Sequence, residues 1–249
     1  MGILKNKKIK FLIAAVVGFV LFFLGSLLYI YGIYKIDSIQ SGKTFSEFYD
    51  GLNDNPLAMS IMQLVAYTPF LIVIIFLLKD DLRLDFYDFK RNYKKYIVYI
   101  IIGFISLIGC TVVVNIIYML LGDMGSSENE ELIEAMLLSE GAIPMIIAVV
   151  ILAPVAEELL FRKIFFGVFE ESFNLKPVIA ITFSALLFAF IHVSDAANIK
   201  YIFQYLPLAF IMCAIYHYCN NNIYVSMLIH FLNNGFAVVM TYVGFYLGA

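Results

Sequence analysis

The sequence predicts an all-α polytopic membrane bundle of about seven transmembrane helices (seven to eight), with a cytoplasmic N-terminus. Residues 1–249 are read as a single integral membrane domain. Three observations predict this fold. Hydrophobic residues make up 63% of the chain and charged residues only 14%, against about 45–50% and about 25% in soluble domains. Long uncharged apolar runs recur from end to end. No segment alternates in the manner of a strand, so the backbone groups that lipid cannot satisfy must be paired within helices rather than in a barrel.

The elements follow in chain order. Residues 11–34, 57–78 and 96–122 are each long enough for a bilayer, which takes about 20 residues. The first is read as a permanent anchor: it is too long for the apolar core of a cleaved leader and lacks a small-x-small cleavage site. Residues 141–156 run into Glu157 and Glu158 and then into more apolar residues, which gives a fourth helix with polar groups inside it. Residues 177–194, 201–216 and 223–249 make the fifth, sixth and seventh runs, the sixth being short. Between the third and fourth, Ser127-Glu128-Asn129-Glu130 has the form of a capping box. Leu132, Ile133, Met136 and Leu137 follow at the spacing of one helix face. A short amphipathic helix on the outer surface is expected there. Leu84, Phe86, Tyr87, Phe89 and Tyr93, interleaved with charges, suggest an interfacial segment on the inner side. No internal repeat supports an inverted-repeat transporter.

Orientation follows the cations. With the N-terminus inside, the inner segments hold Lys5, Lys7, Lys8, Lys10, the six cations from Lys79 to Lys95, Arg162, Lys163 and Lys176. Only Lys35, Lys43 and Lys200 remain outside. With 16 Lys and Arg against 19 Asp and Glu, the chain is not a nucleic-acid binder. Cys110, Cys213 and Cys219 have neither a disulfide framework nor metal-ligand spacing and are read as packing residues.

Ionisable groups within spans are functional candidates. Glu157, Glu158, Arg162, His192 and His230 are the exceptions to the rule that charges here sit in loops. Glu157 and Glu158 lie roughly 20 Å below the outer surface by helical rise. Arg162, four residues after Glu158, shares its face and can pair with it; Glu157 is rotated by about 100° and left free. His192 ends the fifth run with Phe188 one turn before it, and Asn234 follows His230 by one turn. A carboxylate, two histidines and an asparagine from three helices are expected to converge at similar depth. They would supply a base for water and donors for an oxyanion. His217, beside the turn at Asn220, Asn221 and Asn222, is read as exposed and without a role.

Glu157-Glu158-Leu159-Leu160-Phe161-Arg162 resembles the EExxxR motif of the CPBP (CAAX protease and bacteriocin-processing, or Abi) intramembrane proteases. Phe188-Ala189-Phe190-Ile191-His192 resembles that family's FxxxH motif, and His230-Phe231-Leu232-Asn233-Asn234 its HxxxN motif. The three stand in the family's order within residues 141–240, while residues 1–122 match only as generic spans. Lys163 departs from the glycine common after the arginine, and Ala209 and Cys213 are the small residues before HxxxN.

The resemblance implies an all-helical membrane endopeptidase of the CAAX-protease type in which Glu157 and His192 activate water. By the same likeness, His230 and Asn234 hold the carbonyl or oxyanion, and Glu158 with Arg162 braces the helix. The family is called metalloprotease. Glu157, His192 and His230 suit zinc by ligand type, yet no HExxH pair exists on one helix, and a metal-free mechanism is equally compatible. The implied substrate is a peptide or a membrane-associated protein, cleaved near the inner surface; a short chain without a targeting sequence is expected in a bacterial plasma membrane. The alternative is a catalytically silent membrane regulator or bacteriocin-immunity protein acting by binding. The oligomeric state cannot be read from the sequence.

Overall fold

A computed structural model describes residues 6–123, 125–193 and 198–248, and no strand occurs among them. Ser194 and Ala249, the last residues of the fifth and seventh runs, lie outside the described residues. The helices are α1 (Lys7–Ser41), α2 (Phe45–Asn53), α3 (Pro56–Ala66), α4 (Thr68–Leu120) and α5 (Glu128–Leu137). There follow α6 (Ala142–Ser172), α7 (Pro177–His192), α8 (Ile202–Tyr218) and α9 (Ile223–Leu247).

Among the described residues, five stretches are long and apolar enough to cross a membrane. One of them, Pro56–Leu120, holds both the second and third apolar runs, and Pro177–His192 is a shorter apolar helix of 16 residues. All seven runs are therefore helical, but the second and third are not separated by a loop. With neither Gly nor Pro between residues 79 and 95, nothing breaks the helix. It continues through the charged stretch and kinks at Asn92, where φ is −110° and ψ is 16°. Asp88 fastens the corner by accepting from Asn92 at 2.7 Å and from the hydroxyl of Tyr96. The inner segment expected on the sequence is thus helix throughout.

The charges assigned to the inner side meet at one end of the bundle. Lys7 pairs with Glu171, Lys10 with Asp81, and Lys163 with Asp85 at 2.5 Å. At the other end the Lys200 ammonium donates to Asp123 at 2.6 Å and holds that carboxyl below its usual range. The same end carries the caps of the connecting helices. Thr44 and Glu47 form a reciprocal capping box on α2, and the Thr44 amide and hydroxyl keep the Glu47 carboxyl low. Ser127 caps α5, the amphipathic helix expected there. Gly141 is required by close approach: a Cβ would stand 2.5 Å from the Pro56 carbonyl oxygen.

α6 is the central element. More than half of its most apolar window is buried, against a third or less in the other long helices. Phe11 and Ala14 of α1, Phe70, Ile74 and Leu78 of α4, and Phe188 of α7 enclose its Leu159, Leu160, Phe161 and Ile164. Apolar side chains that face outward, such as Ile101, Ile102 and Ile105 of α4, are half exposed and fit a lipid surround. α6 is also irregular. Ala148–Leu152, Glu158–Phe165 and Val168–Ser172 are π turns, bonded i to i+5. The sequence argument assumed ordinary α pitch here.

His217 corrects an expectation. It is half-buried against the Phe166 ring, with Nδ1 3.6 Å from Glu170, rather than exposed. Asn220 and Asn221 take left-handed φ values of 58° and 55°, which asparagine tolerates, and Asn222 then caps α9. All three cysteines are free, two of them buried.

Candidate active site

The EExxxR segment builds the centre. Glu158 and Arg162 project from one π segment of α6, with Glu158 Oε1 3.2 Å from Arg162 Nη1 and both side chains essentially inaccessible. The Arg162 guanidinium also lies over the Phe188 ring, 4.4 Å from its centroid. An aromatic face is a favourable seat for a desolvated cation. α7 is held to the same segment by Ser184, whose hydroxyl donates to the Phe161 carbonyl at 2.7 Å.

α9 brings His230 against both glutamates. Its Nδ1 lies 2.9 Å from Glu158 Oε1, and its Nε2 lies 3.8 Å from Glu157 Oε2. With Glu158 ionised beside Arg162, Nδ1 carries the proton and donates to it. Nε2 is then the ring nitrogen turned toward Glu157. Glu157 and His230 are only 8% and 5% exposed, so the pair stands in a nearly dry setting where electrostatic interactions are strong.

Asn234 sits one turn beyond His230, and its position has a backbone cause. Its Nδ2 donates to the Val149 carbonyl at 2.9 Å. That carbonyl lies in the first π segment, where the Ala153 amide bonds instead to Ala148. The next residue is Pro154, which has no N–H to offer. Asn234 therefore fills an acceptor that the helix itself leaves unpaired. Its own Oδ1 accepts from Asn233 at 3.2 Å.

His192 does not join the His230 cluster by direct contact. It ends α7, and its Nδ1 lies 2.8 Å from the Phe188 carbonyl. A carbonyl only accepts, so Nδ1 carries the hydrogen and Nε2 is the basic nitrogen. The ring packs on Phe188, with centroids 4.5 Å apart, and stacks on Tyr205 at 4.7 Å. Phe188 in turn meets the His230 ring edge-on at 6.2 Å. Phe188 thus spans the two histidines. Tyr205, which the sequence argument passed over, links His192 to the outer surface, since its hydroxyl donates to Glu130 at 3.1 Å and contacts Ser127.

The residues thus fall into two groups. Glu157, Glu158, Arg162 and His230 form one connected cluster, while His192 and Asn234 flank it on separate anchors. Among the described residues no three His, Cys, Asp or Glu side chains stand close enough to hold a metal ion together. Glu157, His192 and His230 as arranged do not fit the zinc site that their types suggested, because the His192 ring is held by Phe188 and Tyr205. Lys163, the departure from the family pattern, is 7% exposed and satisfied by Asp85, which also accepts from the Ile223 amide at the start of α9. A buried lysine signals a buried acid, but Asp85 is 78 residues away and unmarked in the sequence.

Comparison with known proteins falls on the same region. Residues 139–236 match the family model described as type II CAAX prenyl endopeptidase Rce1-like. "Putative membrane peptidase YdiL" of Bacillus subtilis is 29% identical over 190 residues, covering 74% of this chain and 72% of its own. "Membrane-embedded CAAX protease MroQ" of Staphylococcus aureus is 32% identical over 159 residues, and this chain spans 59% of its length. No solved structure matches.

Proposed function

We propose that the chain is a CAAX-protease-type intramembrane endopeptidase of a bacterial membrane, hydrolysing a peptide bond of a membrane-associated protein or peptide; the family-model match and the two similar membrane peptidases support this reading. The observation that carries this reading is the placement of His230 between Glu157 and Glu158. Glu158, neutralised by Arg162, fixes the ring. Nε2 and the Glu157 carboxylate then face each other across 3.8 Å, too far for a direct hydrogen bond.

In this reading a water held beside Glu157 loses its proton to that carboxylate as its oxygen attacks the scissile carbonyl. Glu157 later returns the proton to the leaving amine. General-base catalysis of this kind is typically worth about 10²–10⁴-fold. The oxyanion needs donors, and Asn234 retains one amide hydrogen beyond the one given to Val149. By the sequence resemblance His192 joins Glu157 in activating this water. These roles of Glu157, His192 and Asn234 follow the sequence resemblance, which also gives His230 a share in holding the carbonyl or oxyanion.

A second reading, a silent regulator that acts by binding, is favoured by the burial of Glu157 and His230. One experiment separates the two. Glu157→Gln keeps shape and hydrogen bonding while removing the base. It should fold, insert and bind as wild type, with cleavage of a library peptide in liposomes reduced by at least about 10²-fold. Full biological effect in Glu157→Gln, together with no cleavage by wild type, establishes the regulator instead.

A further inference from the structure

The charged stretch of α4 between its two apolar arms holds Lys79, Arg83, Lys90, Arg91, Lys94 and Lys95 alongside four aspartates. In composition it is only mildly basic. The fold sorts these charges. All six cations are exposed, while Asp81, Asp85 and Asp88 turn inward onto partners. Asp81 meets Lys10, and Asp85 meets Lys163 and the Ile223 amide. Asp88 accepts from Asn92, Tyr96 and the Asn222 amide, with the exposed Arg91 guanidinium 3.5 Å away. Only Asp80 shares the surface with the cations.

Between the cations stand Leu84, Phe86, Tyr87 and Tyr93, each 46–69% exposed. Lys90 lies over the Phe86 ring and Arg83 over the Tyr87 ring. Side chains of this kind lay their apolar stems along the acyl boundary and lift their charges to the headgroups. We propose that residues 79–95 form a binding surface for anionic phospholipid headgroups at the inner face of the bilayer, with Asp81 and Asp85 neutralised by Lys10 and Lys163 and Asp88 turned inward, so that the outward face is predominantly cationic. The chemistry shared with free phosphate is the anion. The exposed aromatics, and the direct continuation of both ends into spans, favour the lipid.

The test uses the full chain in non-ionic detergent, titrated with phosphatidylglycerol or phosphatidylcholine and read by native mass spectrometry. A cation near an anionic surface is worth about fivefold in affinity. Wild type should bind phosphatidylglycerol in preference to phosphatidylcholine, and salt should weaken the preference. Lys90→Gln, Arg91→Gln, Lys94→Gln and Lys95→Gln combined should weaken phosphatidylglycerol binding at least about tenfold. Lys94→Gln with Lys95→Gln alone should lose an intermediate amount, which serves as the reading if the fourfold variant aggregates. Lys35→Gln with Lys43→Gln, at the opposite end, should change nothing. Excess inorganic phosphate should not displace the lipid. Equal binding of the two lipids by wild type, unchanged affinity in the inner variants, or displacement by phosphate overturns the proposal.

Discussion

The imidazole of His230 hangs from Glu158, its Nδ1 2.9 Å from a carboxylate oxygen that also faces Arg162. Adjacent glutamates have therefore been given unlike surroundings. Glu158 is sealed between a guanidinium and an imidazole, while Glu157 faces the far nitrogen of the same ring.

Glu158→Gln should be a folding lesion before it is a catalytic one. It leaves Arg162 buried against Phe188 without its counter-charge. Breaking one partner of a buried pair typically costs about 3–5 kcal/mol. Thermal unfolding in detergent should show a large drop in midpoint along with lost activity. A variant of wild-type stability that is merely inactive would mean the two glutamates have exchanged roles.

Asn234→Ala should show two separable defects. Loss of an oxyanion donor lowers turnover by about 10²–10³-fold. Leaving the Val149 carbonyl unpaired destabilises the bundle by about 1–3 kcal/mol. Adding Pro154→Ala returns a backbone N–H at the i+5 position and should recover the stability without the turnover. Stability that stays low in the double variant would show that Val149 is not the source of the defect.

The histidines predict a contrast. His192→Ala should lower peptide cleavage by about 10²–10⁴-fold, with unfolding little changed because the ring's anchors are a backbone carbonyl and two aromatic faces. His217→Ala, beside Glu170 at the inner end, should leave cleavage within a few-fold of wild type. Comparable losses in the two variants would remove the case for His192.

A pH dependence follows from Asp123. Its folded carboxyl is lowered below 3.8 by Lys200, so the stabilisation is fully present above the unfolded value. It fades only as the pH falls through the lower folded one. The contact is exposed, and its effect is correspondingly small. Asp123→Asn should sit slightly below wild type in unfolding midpoint at neutral pH, and the gap should close in strong acid. A gap that widens on acidification contradicts the sign.

Composition made the bundle legible, because every apolar run from residue 11 onward became helix. It also marked the polar residues that matter, since Glu158 and Arg162 pair on spacing alone. Two kinds of feature were not legible. The expected interfacial segment continues the same helix and kinks at Asn92 because a charged stretch without Gly or Pro does not stop a helix. Partners far apart in sequence, such as Lys163 with Asp85 or His192 with Tyr205, depend on which helices become neighbours. The π turns belong to both kinds, since Pro154 hints at one while packing decides the others.

The π turns give α6 an unusual intolerance. Each holds one residue more than an α-helix of the same rise would need. A deletion of a single residue between Val149 and Glu157 would let the first segment relax to ordinary pitch and swing everything beyond it by about 100°. Glu158 and Arg162 would then turn together away from His230 on α9, and Glu157 would face a different neighbour. Homologous chains should therefore vary in letters along this stretch but not in length. An insertion or deletion there would be a more telling sign of lost chemistry than any substitution outside the cluster.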